Sequence, residues 1–177
     1  YHNFVWSSLD AGALYEIYWY AIPHIYSPGK YDHRHVAAAF LAFLADIPLS
    51  NGHYHELPAE VSSPALRVVG QLDPVNGRAH VWVQNRAHTW KTVSGGNESP
   101  PVSGELRIAG LRPNRYYQVQ GWNTYSTDGQ VLWERSVRTR GDGVLLIPVQ
   151  ELRSDVALKI SELGRPRNLL TLPGALR

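Results

Sequence analysis

The sequence predicts a mainly β protein, an antiparallel β-sandwich preceded by a short α/β segment of helix, buried strand and helix. Three observations predict it. Beyond about residue 65 the chain breaks into short runs of β-forming residues separated by Gly, Pro, Asn and Asp, the signature of successive antiparallel strands. Before Pro48 it is Ala-rich and aromatic, with apolar positions three and four apart as a helix requires. Between its two helical stretches lies Leu14-Tyr15-Glu16-Ile17-Tyr18-Trp19-Tyr20-Ala21-Ile22, aromatic or β-branched at nearly every position and without a polar face. That is the pattern of an interior strand buried on both sides.

In chain order, Tyr1, Val5 and Leu9 fall at i, i+4 and i+8 and predict the end of an amphipathic helix. Asp10-Ala11-Gly12-Ala13 turns the chain into the buried strand, and an aromatic loop over 23–30 leaves it. A second helix is expected from about Tyr31 to Ala45, with Val36, Ala39, Phe40, Phe43 and Leu44 on its apolar side, Asp32 near its positive end and Pro48 as its stop.

These residues carry a resemblance. The order His2-Asn3, Trp6-Ser7-Ser8-Leu9, Ala11-Gly12-Ala13, Tyr18-Trp19-Tyr20, His35 and Phe40 to Pro48 resembles the last helix, eighth strand and eighth helix of cellulase-like (β/α)₈-barrel glycoside hydrolases. It implies that residues 1–48 are the C-terminal βα unit of a barrel, a remnant whose other strands precede Tyr1. It also implies that Trp19 floors a sugar subsite, with Tyr20, His24 and Tyr26 beside it as substrate-binding residues. The family's catalytic pair is two carboxylates set after earlier strands, so the resemblance places both outside this chain. Glu16 has two readings: a general acid with a pKa raised by burial, or a carboxylate facing a basic partner at the barrel floor, away from the catalytic end. Trp19 likewise reads as a sugar platform or as core packing.

Residues 49–64 read as a polar connector with a turn at Asn51-Gly52. His53, His55 and Glu56 offer too few ligands for a metal site, and His33 and His35 diverge at i, i+2 spacing, so neither a metal nor a cofactor is expected. Strands are predicted at about 66–72, 79–84, 89–93, 104–109, 115–122, 130–137, 144–149 and 156–161, in a domain spanning 65–163, with a tail over 164–177 that docks back. The run from Gly110 to Val119 resembles the corner of immunoglobulin-like and fibronectin type III domains, which implies that the Tyr117 hydroxyl bonds back to the backbone. His80 to Trp90 is similar to a hairpin in the appended C-terminal domains of the same hydrolases. Trp82, Trp90, Trp122 and Trp133 read as core or as a sugar-stacking surface, with Trp90 the one expected at the surface.

A net charge of +2, with 17 basic and 15 acidic residues interspersed, leaves no electrostatic footprint for nucleic acid, and no apolar run is long enough to span a membrane. Absence of Cys and Met, with 12 prolines, fits resistance to heat or oxidation. Two functions compete. One is the C-terminal fragment of a secreted glycoside hydrolase that cleaves β-glycosidic bonds in a polysaccharide or oligosaccharide, inactive as this chain alone. The other is a non-catalytic structural or carbohydrate-binding subunit that self-associates or packs on another chain. They differ in what covers the 14–22 strand: the remainder of the barrel, or another polypeptide such as a second copy.

Overall fold

A computed structural model describes residues 1–10, 26–27 and 31–164. In chain order these form helix α1 (His2–Ser7), strands β1 (Tyr26–Ser27) and β2 (Tyr31–Asp32), helix α2 (Arg34–Leu44), a 3-10 turn (Leu49–Asn51), strands β3 (His55–Glu56), β4 (Ala59–Val61), β5 (Leu66–Asp73) and β6 (Arg78–Asn85), helix α3 (Trp90–Ser94), and strands β7 (Val102–Ile108), β8 (Tyr116–Trp122), β9 (Val131–Arg138), β10 (Leu145–Leu152) and β11 (Asp155–Glu162). The chain is mainly β. A six-stranded sheet of order β3-β5-β6-β11-β8-β9 faces a three-stranded sheet of order β10-β7-β4, and every pairing is antiparallel.

Period-2 alternation assigns each strand of the large sheet an inner and an outer row. Val81, Val83, Val119, Leu158 and Ile160 point inward and meet Leu106, Ile108, Leu145 and Ile147 of the small sheet in one apolar core. Tyr117 is fully buried there, and its hydroxyl accepts the Arg112 backbone N–H at 3.1 Å, the bond expected of the corner tyrosine.

The outer face carries a single apolar row. Val69, Trp82, Ala157 and Trp122 stand opposite one another across β5, β6, β11 and β8. Both front helices cover this row: Val5, Trp6 and Leu9 from α1 and its C-terminal turn, with Val36, Ala39, Phe40 and Phe43 from α2, form a second core with Trp82 and Ala157. Trp6 meets Phe40 and Phe43 edge-on at 5.3 and 5.4 Å, and Phe43 meets Trp122 the same way at 5.8 Å. The apolar side expected of the second helix is the one it buries, although the helix begins at Arg34. Asp32 just ahead of it accepts the Arg34 backbone N–H and its guanidinium, and these bonds hold its pKa near 2.

Two expectations are corrected. The predicted strand at 89–93 is helix α3: Thr89 takes an extended conformation and its hydroxyl accepts the Thr92 N–H at 3.3 Å, capping a helical turn that overrides the β preference of Thr92 and Val93. The connector also contains structure, because β3 extends the large sheet beside β5 and β4 completes the small sheet beside β7. The predicted strand 14–22 and the tail beyond Gly164 lie outside the described residues.

Candidate functional site

The sugar-contacting residues expected from the sequence divide into two groups. Glu16, Trp19, Tyr20 and His24 lie outside the described residues, and the Tyr26 backbone pairs with that of Asp32 between β1 and β2. Trp90 is described and stands at the start of α3 with 72% of its surface exposed. Trp82 is fully buried, and its partners are the front helices rather than the sandwich core. Trp122 and Trp133 are half-buried, the first against the front helices and the second against the sandwich core.

Trp90 sits on the wall of a groove of about 590 Å³ between the start of α1, the start of α2 and the sheet. The loop that presents it is held by polar bonds rather than burial. Asn85 Oδ1 accepts the Ala87 N–H at 3.0 Å, and the Thr92 hydroxyl donates to the Ala87 carbonyl at 2.7 Å. Asn3 of α1 donates to the His88 carbonyl at 3.0 Å and ties the front segment to the same loop. Opposite Trp90, Tyr125 stacks on His2 with ring centroids 4.2 Å apart and planes within 6°. The Tyr125 hydroxyl and His88 Nε2 are 3.1 Å apart, and His88 Nδ1 lies 3.2 Å from the Ser99 hydroxyl. Burial, with the nearby Asp155 carboxylate, pushes the Tyr125 phenol pKa up, so it stays a neutral donor.

Beneath this stack lies a buried carboxylate. Asp155 Oδ2 accepts from Trp82 Nε1 at 2.6 Å and from His2 Nε2 at 2.8 Å, and its side chain is fully enclosed. One oxygen thus joins the first helix, the outer face of the sheet and the start of β11. The pair has the look of an Asp–His dyad, but His2 Nδ1 meets no hydrogen-bond partner and no carboxylate lines the groove among the described residues. Glycoside hydrolysis by the usual routes requires two carboxyl groups flanking the bond. Among the described residues the groove therefore offers aromatic faces and hydrogen-bonding groups suited to holding a ligand, and no pair of carboxyl groups.

Among the described residues no group of three or more His, Cys, Asp or Glu could hold a metal ion; His55 Nδ1 bonds its neighbour's carbonyl at 3.0 Å. No helix among them is long and apolar enough to cross a membrane. Sequence reasoning assigned no functional role to His2, His88, Tyr125 or Asp155. Each is an unremarkable polar or aromatic residue in its own segment, and only the approach of α1 to β11, separated by some 153 positions, brings them together.

No protein-family model matches the sequence, and no curated protein matches it. Solved structures with local similarity include the GH39 enzyme from Xanthomonas axonopodis pv. citri, at 19% identity and a TM-score of 0.38 over 57% of this chain and 26% of that one. A glycoside hydrolase family 44 xyloglucanase of Paenibacillus polymyxa aligns at 11% identity and a TM-score of 0.35, over 58% of this chain and 18% of the enzyme. A family 44 endoglucanase produced by Clostridium acetobutylium ATCC 824 aligns at 10% identity and a TM-score of 0.34, over 56% of this chain and 17% of that one. The chain thus spans about a quarter or less of each of these proteins.

Proposed function

We propose that this chain is the C-terminal part of a secreted carbohydrate-active enzyme, a glycoside hydrolase cleaving β-glycosidic bonds, with its catalytic carboxylates on polypeptide ahead of Tyr1. The single observation that carries the reading is the second core. The two helices that bear the barrel resemblance are built onto the outer face of the sandwich through Trp6, Phe43, Trp82 and the buried Asp155. In this reading residues 1–48 close a (β/α)₈ barrel and the sandwich braces that closing unit. Trp19 stacks on a sugar at the cleavage point, with Tyr20, His24 and Tyr26 around it, and Glu16 has no catalytic part. Trp90 supplies a second aromatic face on the sandwich side, where exposure leaves its ring open to the apolar face of a pyranose.

The test is the mass and peptide map of the native protein, followed by assay on β-glucans and β-mannans. Several hundred residues ahead of Tyr1, hydrolysis of one of these substrates, and its loss in Trp19→Ala would support the reading. Native material consisting of this chain alone, self-associated and inactive, would refute it and favour a carbohydrate-binding or structural subunit. For that second reading the supporting observation is the edge strand β9, which leaves Val131 and Leu132 exposed for pairing with another chain.

A further inference from the structure

A second cavity, of about 370 Å³, lies on the same outer face of the large sheet as the groove but on the opposite side of the apolar row. Its floor is two adjacent register rows. His80 on β6, Lys159 on β11 and Gln120 on β8 stand opposite one another in the first, and Arg78, Ser161 and Gln118 in the second. Asp46, Pro48 and Tyr54 wall it, with the Tyr54 ring tilted against His80 at 4.9 Å.

Several of its polar groups have partners. The Lys159 ammonium pairs with Asp46 and sits 3.8 Å over the Trp122 ring. Gln120 donates to Glu134 at 2.9 Å and accepts from Trp122 at 3.3 Å. Asp73, opposite Arg78 across β5 and β6, is held by Asn51 and Asn76, each at 2.8 Å. His80 is different: it is 1% exposed, and neither ring nitrogen meets a hydrogen-bond partner. Burial, with the Lys159 charge, pushes its pKa down to about 4, so at neutral pH it presents one N–H and one lone pair, both unfilled. Buried polar groups are ordinarily satisfied, and one left without a partner in the lining of a cavity points to a ligand. Of the charged residues that line the cavity, Asp46 and Lys159 pair with each other, while Arg78 forms no ion pair among the described residues and has the Asp73 carboxylate opposite it across β5 and β6.

A neutral group that both donates and accepts, beside the Arg78 guanidinium and the Ser161 and Tyr54 hydroxyls, matches a small molecule that carries hydroxyls and one negative charge. The volume lies near the lower end of small-molecule sites, which run from roughly 300 to 1,000 Å³. We propose that this cavity binds a single uronic-acid unit, its carboxylate on Arg78 and its ring hydroxyls on His80 and Ser161. That the ligand is a sugar rests on the function proposed above, whereas the preference for a hydroxylated carboxylate stands on the cavity itself.

The test is titration of the full chain with D-glucuronate and with D-glucose, followed through the His80 ring resonances, with no hydrolysis assay involved. A failed hydrolase reading therefore leaves the result intact, and the converse holds. Glucuronate should shift His80 saturably, and glucose should bind at least tenfold more weakly. Arg78→Ala, at an exposed position that leaves the fold unchanged by circular dichroism, should weaken glucuronate at least tenfold, and His80→Leu should abolish its binding measured by calorimetry. No saturable shift with glucuronate, equal binding of glucose, or unchanged affinity in Arg78→Ala would each overturn the proposal.

Discussion

Asp155 should hold the front helices to the sandwich, and the two substitutions Asp155→Ala and Asp155→Asn should separate its hydrogen bonds from its charge. Its enclosed Oδ2 accepts from both Trp82 Nε1 at 2.6 Å and His2 Nε2 at 2.8 Å, while Oδ1 meets no hydrogen-bond partner. Alanine leaves two buried donors unfilled, and bonds to a charged acceptor contribute about 1.5–3 kcal/mol each, so the loss should be about 4 kcal/mol. Asparagine can place its amide oxygen where Oδ2 was and its NH₂ where Oδ1 had no partner. Both donors stay satisfied, charge assistance is lost, and so is the cost of burying a carboxylate, leaving a net loss of about 1 kcal/mol. Urea unfolding followed by tryptophan fluorescence measures both, provided the slope with denaturant is unchanged. For a chain of this length the melting temperature should fall by roughly 8–16 °C in the alanine variant and by roughly 2–4 °C in the asparagine variant. Equal destabilisation by the two would refute the argument, because the charge rather than the shared oxygen would then be the anchor. So would an alanine variant within about 0.5 kcal/mol of the parent, since a surface substitution does no more than that.

Three further outcomes are expected. Tyr117→Phe removes the buried acceptor of the Arg112 N–H and should cost about 1.5 kcal/mol in the same unfolding assay, with no loss meaning that water replaces the hydroxyl. Gly143→Ala should cost more than Gly52→Ala, although both glycines have positive φ (77° and 76°), because a Cβ at 143 would lie 2.3 Å from the Leu111 carbonyl oxygen and one at 52 meets nothing; equal losses would show that backbone conformation alone sets the cost. His80, lowered from its ordinary 6.5 to about 4, refuses in the folded state a proton that the unfolded chain takes up. Its contribution to stability is therefore complete above pH 6.5 and is lost as pH falls toward 4, by about 3 kcal/mol over that window. Unfolding measured at several pH values should show that slope reduced by the same amount in His80→Gln, and parallel curves would refute it.

The strands were legible where local physics decides them. Alternation in Tyr116–Trp122 and the apolar stretch Ala79–Val83 mark strands by themselves, and the tyrosine after the Leu111-Arg112-Pro113 turn announced its hydroxyl bond. The same local physics failed at Trp90–Ser94, where β-branched residues suggested a strand and a threonine cap made a helix. It missed His55–Glu56 and Ala59–Val61 because strands of two and three residues carry no period to detect. At the candidate site the sequence marked Trp90 as the tryptophan at the surface, and it is exposed. Its surroundings were not legible, because His2, His88, Tyr125 and Asp155 come from four distant segments.

Alternation along a strand states which residues share a face, and this determined that Val81 and Val83 lie on one side and His80, Trp82 and Gln84 on the other. It cannot state what covers the second face. Burial of Trp82 under the front helices, and of His80 beneath the Asp46–Tyr54 segment, was decided only when segments tens of residues away closed over the sheet. The apolar row on that face is one residue wide, so its drive to be covered is spread among distant partners and leaves no pattern in any one window of sequence.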